Sequence, residues 1–285
     1  MQSGKHSPQN LFFLKLGGSL ITDKARPHTP RPDVLARLAG EIKQAIAQRP
    51  GLQLVVGHGS GSFGHVPGKR YGTRQGVYSP EQWRGFAEVW FEATALTRIV
   101  VEAFHEMGLP VIAFSPSAGV ISQDGVVLTW DLAPLQAAMQ AGLLPVMHGD
   151  VVFDRVRGGT ILSTEDLFMY LARQLQPERI LLAGIEAGVW EDYPTCNHLI
   201  PEITPERLPE IFPALGGSSK TDVTGGMSSK VQQSLVLIEE YPDLVIQIFS
   251  GESAGNVKRS LLGESAGTTL RYKSQPENEH TGQFP

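Results

Sequence analysis

The chain is predicted to be an α/β protein with a largely parallel sheet, covered by helices on both faces, and two lobes that share that one sheet. Two observations carry this. Short apolar, β-branched runs alternate along the chain with longer stretches whose apolar residues recur at helical spacing. Each glycine-rich polar segment stands directly after one of the apolar runs. Such alternation gives parallel strands joined by helical crossovers, and ligands of these sheets meet the loops at the strand ends.

Leu11 to Leu16 reads as the first strand and carries one charge, Lys15, which needs an anionic partner or a route out at the strand end. Gly17-Gly18-Ser19 follows as a loop, with Lys24 in the polar stretch beyond it. Val34, Leu35, Leu38, Ile42 and Ile46 predict a helix over 32–48, which returns to a strand at 52–56. That strand stops at glycine, and 57–65 (GHGSGSFGH) is expected to be a tight loop. Residues 66–76 (VPGKRYGTRQG) show no periodicity and read as a mobile flap over a site.

Pro80 opens a long helix to Met107. Its stripe of Trp83, Phe86, Trp90, Ala93, Thr97, Val100 and Phe104 is either core or, at the aromatic end around Phe86 and Trp90, the wall of an apolar pocket. A strand at 109–114 leads to a hairpin over 120–129 that turns at Gln123-Asp124-Gly125. A helix at 132–141 and a strand at 143–147 follow, the strand ending in His148-Gly149-Asp150. A second hairpin turns around 157–159, and Ser163-Thr164-Glu165-Asp166 has the capping pattern of a helix start.

Beyond a strand at 179–183 the chain is irregular and Pro-rich to 213. The third glycine loop, 221–226, precedes a helix over 227–241 with Lys230 one turn inside it. A strand at 244–249, a helix near 253–262 and a strand near 267–272 complete the pattern. The lobes are expected over 11–175 and 176–272, with 1–10 and 273–285 as flexible tails.

The composition bounds the chemistry. With 285 residues, 41% of them hydrophobic, the chain can bury a sizeable core. A net charge of -5 argues against nucleic acid as partner, because such proteins usually carry a basic face. One cysteine, Cys196, excludes an intrachain disulfide framework and fits a reducing compartment. Residues 1–10 lack the apolar core of a signal peptide and no apolar run is long enough for a bilayer, so a cytoplasmic protein without a membrane partner is expected.

Three glycine loops at strand ends suit a polyphosphate or a pair of phosphates. In 57–65, Gly59, Gly61 and Gly64 admit an oxyanion close to the main chain, Ser60 and Ser62 offer donors, and His58 and His65 flank the loop. Residues 59–64 match G-x-G-x-x-G, but His65-Val66-Pro67-Gly68 does not read as the helix that a dinucleotide site requires. The Walker P-loop and the protein-kinase motifs are absent. What remains is a set of separated lysines, Lys15, Lys24 and Lys230. Transfer of a γ-phosphoryl group needs charge stabilisation and alignment, and an acceptor that is itself a phosphate needs no strong base.

Lys15-Leu16-Gly17-Gly18-Ser19, Ser62-Phe63-Gly64-His65, Gly149-Asp150-Val151 and Thr224-Gly225-Gly226-Met227 with Lys230 resemble the amino acid kinase superfamily. Within it, the SFGH ending and Lys24 in Ile21-Thr22-Asp23-Lys24 are most similar to the isopentenyl phosphate kinases. The resemblance spans roughly residues 11–272 and implies a three-layer αβα sandwich, commonly a homodimer, that uses ATP with Mg²⁺ to phosphorylate an isoprenoid monophosphate.

By position it assigns Lys15, Lys24 and His65 to catalysis. Lys15, Gly17, Gly18, Ser19, Ser62, Gly226 and Lys230 go to ATP; Gly59, Ser60, Gly61, His65 and Gly149 go to the acceptor, with Phe86 and Trp90 as the candidate wall. Thr164-Glu165 stands where relatives often have Gly-Asp, which makes Glu165 or Asp166 the carboxylate that orients the lysines. The alternatives are a fosfomycin-type kinase, which shares SFGH, and a nucleotide-sensing member without turnover.

Overall fold

The structure, a computed structural model, describes residues 10–211 and 226–273. Thr224 and Gly225 of the third glycine segment lie outside the described residues, as do the expected tails apart from Asn10 and Lys273.

Strand β1 (Leu11–Leu16) is buried at every position and runs through Gly17 into a single turn, α1 (Gly18–Ile21), where a loop was expected. Helix α2 (Pro32–Gln48) has Pro at its start and returns to β2 (Gln53–His58). Two helices follow, α3 (Gly61–Tyr71) and α4 (Pro80–Glu106), the second opened by a Ser79–Gln82 capping box. Next come β3 (Val111–Phe114), the hairpin β4 (Val120–Gln123) and β5 (Val126–Trp130), α5 (Ala133–Gln140) and β6 (Leu144–His148). A second hairpin, β7 (Asp150–Asp154) and β8 (Gly158–Leu162), leads to α6 (Thr164–Leu175) and β9 (Arg179–Gly184). The Pro-rich stretch contains β10 (Val189–Trp190), β11 (Leu199–Ile200), β12 (Glu202–Ile203) and α7 (Leu208–Ile211). After the undescribed segment stand α8 (Gly226–Glu240), β13 (Val245–Ser250), α9 (Asn256–Leu261) and β14 (Thr268–Leu270).

The main sheet has the order β12-β14-β13-β9-β1-β2-β6-β3. From β13 to β3 every pair is parallel, while β14 runs antiparallel to β13. Alternation along β1 divides the core into two layers. Phe12, Leu14 and Leu16 pack with α2, α4 and α9 on one face, and Leu11 and Phe13 pack with α5, α6 and α8 on the other. Lys15 has the parity of Leu11 and Phe13, so its side chain leaves the sheet on the α6 and α8 face. This is the expected αβα sandwich, with a smaller sheet, β5-β4-β7-β8, whose strand β7 packs against α4 through Val151, Phe86 and Val89.

The expected flap over 66–76 is a correction. Residues 61–71 are helical with Pro67 inside the helix, and Gly72 ends it in the left-handed conformation at φ 63°. The G-x-G-x-x-G segment therefore does open a helix. Periodicity failed here because the packing face of α3 is made of glycine. A Cβ on Gly68 would stand 3.1 Å from Ile161 and 3.9 Å from Val89, and one on Gly64 would stand 3.8 Å from Ala93.

Candidate active site

The carboxyl ends of β1, β2 and β9 open into a cavity of about 1160 Å³. Its floor is the contact between the segments that follow β1 and β2. A Cβ on Gly18 would lie 2.4 Å from the Gly61 nitrogen. Gly61 itself sits at φ +54°, with its own Cβ position 2.2 Å from Thr22 Oγ1, so only glycine fits at either place. Gly17, Gly18, Ser19, Gly59, Ser60, Gly61 and Ser62 all line the cavity. Ser62 also braces the two segments: its N–H donates to Thr22 Oγ1 at 2.9 Å, and its hydroxyl accepts from the Thr29 N–H at 3.1 Å.

Charge is concentrated on the α6 side. Lys15 Nζ donates to Glu165 Oε1 at 2.5 Å, with the two side chains 11% and 13% exposed. Burial pushes the Glu165 carboxyl up, but the charges of Lys15 and Lys230 and the Lys15 hydrogen bond outweigh it and hold the group below its ordinary value. Glu165 is thus an ionised carboxylate against which two cations are set. Its neighbour is engaged elsewhere: Asp166 accepts from the Ser163 N–H at 2.8 Å in the α6 capping box and from Arg74 at 3.1 Å, and it does not line the cavity. Of the two carboxylates considered from sequence, Glu165 is the one that touches a lysine. Lys24, His65, Gly149, Gly226 and Lys230 line the same space.

Opposite the charges the wall is apolar, formed by Gly68 of α3, Val89 and Ala93 of α4, and Ile161 and Leu162 of β8. Phe86 and Trp90 are not part of it. Phe86 is 8% exposed and packs against Trp83, Phe153 and Gly159, while Trp90 is 41% exposed. The cause is helical phase. Val89 and Ala93, four residues apart, share the face that meets α3, and Trp90 stands about 100° round from Val89. Phe86 lies one turn before Val89 and is spent on the smaller sheet.

Sequence reasoning also missed Lys69, Arg70 and Arg74 at the rim, which belong to the stretch read as a flap. On the far side, Ala183, Gly184, Ile185, Trp190 and Tyr193 form a boundary.

A largely parallel αβα sandwich whose strand ends gather glycine turns, four lysines and a carboxylate anchored to Lys15 around a cavity defines a phosphotransferase. The model of the amino acid kinase family matches residues 10–249, and the chain belongs to that family. It is 32% identical over 271 residues to the isopentenyl phosphate kinase of Methanocaldococcus jannaschii, covering 92% of this chain and 99% of the relative. It is 35% identical over 263 residues to the isopentenyl phosphate kinase of Haloferax volcanii, again over 92% and 99% of the two chains. A solved structure of isopentenyl phosphate kinase superposes with a TM-score of 0.76 at 28% identity, covering 91% of this chain and 99% of that one.

Proposed function

We propose that the protein transfers the γ-phosphoryl group of ATP to isopentenyl phosphate, giving isopentenyl diphosphate and ADP. One observation carries the reading: a single cavity joins the Lys15–Glu165 pair and the glycine turns to a wall without charge at Val89, Ala93 and Ile161. Phosphate chemistry at one end and alkyl burial at the other suit an isoprenoid monophosphate. Identity above 30% to two isopentenyl phosphate kinases over nearly their full length supports it.

In this reading an oxygen of the acceptor phosphate attacks the γ-phosphorus, and the bond from that phosphorus to the β,γ-bridging oxygen breaks. The acceptor is already ionised at neutral pH, so no residue need remove a proton. Lys15, fixed by Glu165, bridges the two phosphates and takes up charge as the phosphoryl group moves. Lys24 steadies that group, Lys230 and Gly226 hold the nucleotide beside Gly17, Gly18 and Ser19, and His65 with Gly59, Ser60, Gly61 and Gly149 receives the acceptor phosphate.

Among the described residues no group of three or more His, Cys, Asp or Glu side chains could hold a metal ion. Mg²⁺ would accompany ATP as its counter-ion and would supply neutralisation of charge on the phosphate oxygens. No helix among the described residues is long and apolar enough to cross a membrane, and the single cysteine suits the cytoplasm. A homodimer is supported by β3, one of the two end strands of the main sheet, where Ile112 is 38% exposed.

The test is ADP release with ATP, Mg²⁺ and a panel of isopentenyl phosphate, dimethylallyl phosphate, fosfomycin and carbamate. Isopentenyl phosphate should give the highest kcat/KM. Turnover of fosfomycin alone would replace the acceptor assignment, and nucleotide binding without turnover of any acceptor would make the protein a sensor.

A further inference from the structure

We propose that His58 is a positioning residue for the acceptor phosphate, its ring holding the Gly59 carbonyl so that the Ser60 N–H faces the cavity. The identity of the anion rests on the functional reading above; the geometry does not.

His58 ends β2 and is wholly buried, and it does not line the cavity, although its neighbours Gly59 and Ser60 both do. Its Nδ1 lies 3.1 Å from the Gly59 carbonyl oxygen. A carbonyl only accepts, so Nδ1 carries a proton. Burial first, and then the charge of His148 stacked 5.6 Å away, lower the His58 pKa to about 3, so the ring is neutral at pH 7 and Nε2 is an acceptor. Thr97 Oγ1, 3.0 Å from Nε2, is placed to donate to it. The same hydroxyl lies 3.0 Å from the Ala93 carbonyl, its alternative acceptor. The Gly59 carbonyl fixes the tautomer, and the Thr97 hydroxyl is within reach of the nitrogen left as an acceptor.

A trans peptide points its N–H opposite to its carbonyl. Pulling the Gly59 carbonyl towards His58, on the side of the loop away from the cavity, turns the Ser60 N–H towards the cavity. That N–H has no hydrogen-bond acceptor among the described residues, whereas the Gly59 N–H is paired with Leu16 O at 3.0 Å. A donor that is already turned to the cavity before the anion arrives is what a phosphate rewards. The His58 main chain is itself clamped: its carbonyl accepts from Thr164 Oγ1 at 2.7 Å and from the Gly149 N–H at 3.3 Å. The ring therefore acts from a fixed base and transmits to one peptide plane.

The test uses three variants that differ in which ring nitrogen they imitate. Asn places an amide N–H₂ near the position of Nδ1, Gln places one near Nε2, and Phe places neither. Steady-state KM is measured for isopentenyl phosphate and for ATP, the Kd of inorganic phosphate is measured by calorimetry, and the melting temperature of each protein is recorded. His58→Gln and His58→Phe should raise the acceptor KM and the phosphate Kd tenfold or more, with the ATP KM within threefold of wild type. His58→Asn should stay within threefold of wild type in all of them. If Phe does not fold, the comparison of Asn with Gln still decides. Equal phosphate affinity and acceptor KM for the Asn and Gln variants, or acceptor and ATP KM values that rise together with loss of melting temperature, would overturn the proposal. If wild type ignores isopentenyl phosphate while phosphate Kd follows the expected order, the functional reading fails and the positioning role stands.

Discussion

Lys15 is the penultimate residue of a fully buried strand and is held at 2.5 Å by one carboxylate, which fixes its ammonium at the cavity where the proposed reading puts the transferring phosphoryl group. Replacing Lys15 by Met should lower kcat by two to three orders of magnitude, about 3–4 kcal/mol, with a smaller change in KM for either substrate. Glu165→Gln, which keeps the shape but not the charge, should lower kcat about tenfold; steady-state rates at saturating ATP and acceptor measure both. His58 makes a pH prediction. Folded, it stays neutral down to about pH 3, because burial and then His148 disfavour its charge, whereas in the unfolded chain it takes up a proton below about 6.5. Between those values the unfolded state binds more protons, so this part of the stability is complete above pH 6.5 and is lost as pH falls, by at most about 1.4 kcal/mol per unit. Melting scans from pH 7 to 5 should show a shallower slope for His58→Asn than for wild type. At this scale Lys15 and the glycine ends were legible in the sequence, because a charge in an apolar strand and glycine at a strand end each demand an explanation. The choice between Glu165 and Asp166 was not. Adjacent residues at a helix start point about 100° apart, and only the placement of α6 against β1 says which one meets the lysine.

Among the elements, α3 and α4 with β8 supply Gly68, Val89, Ala93 and Ile161, the apolar wall to which the proposed reading assigns the acceptor's alkyl group. Truncating Ile161 to Ala should raise kcat/KM for geranyl phosphate relative to isopentenyl phosphate by about tenfold, or roughly 1.4 kcal/mol. Phe86→Ala should leave that ratio unchanged and cost about 3 kcal/mol of stability, because Phe86 packs between α4 and the smaller sheet. Substrate competition and thermal melting on the two variants separate these effects. Elements whose packing face is built from large apolar side chains were visible from their spacing, as α2 shows with Val34, Leu35, Leu38 and Ile42. Helix α6 was visible from its cap, Ser163 with Asp166. Helix α3 was hidden because it packs through Gly64 and Gly68, which leave no periodic apolar signal, and because Pro67 reads as a breaker although the helix accommodates it in its second turn. The aromatic stripe of α4 was legible as a stripe; that its large members serve the core while its small ones line the cavity depends on which neighbour each turn of the helix meets.

At the scale of the whole molecule, β3 is an edge of the main sheet with no further strand paired to it among the described residues, and edges of this kind invite pairing. Sedimentation of wild type should give twice the 31.0 kDa of one chain, and Ile112→Asp should give the single-chain mass. A monomeric wild type at micromolar concentration would remove the homodimer. The sandwich as a class was legible because alternation of strands and helices admits few topologies, whereas the antiparallel β14 was not, since three residues carry no direction. The position of β1 has a consequence for folding. The strand lies between β2 and β9, and its register with β9 runs from Phe12 against Arg179 to Leu16 against Ala183, whereas its register with β2 starts at Leu11 against Gln53. The pairing with β2 closes a loop about four times shorter than the pairing with β9, and shorter loops close at a lower entropic cost. This central strand of the sheet therefore gains its two neighbours in turn, the near one first, and its second side is sealed only by the partner more distant in sequence.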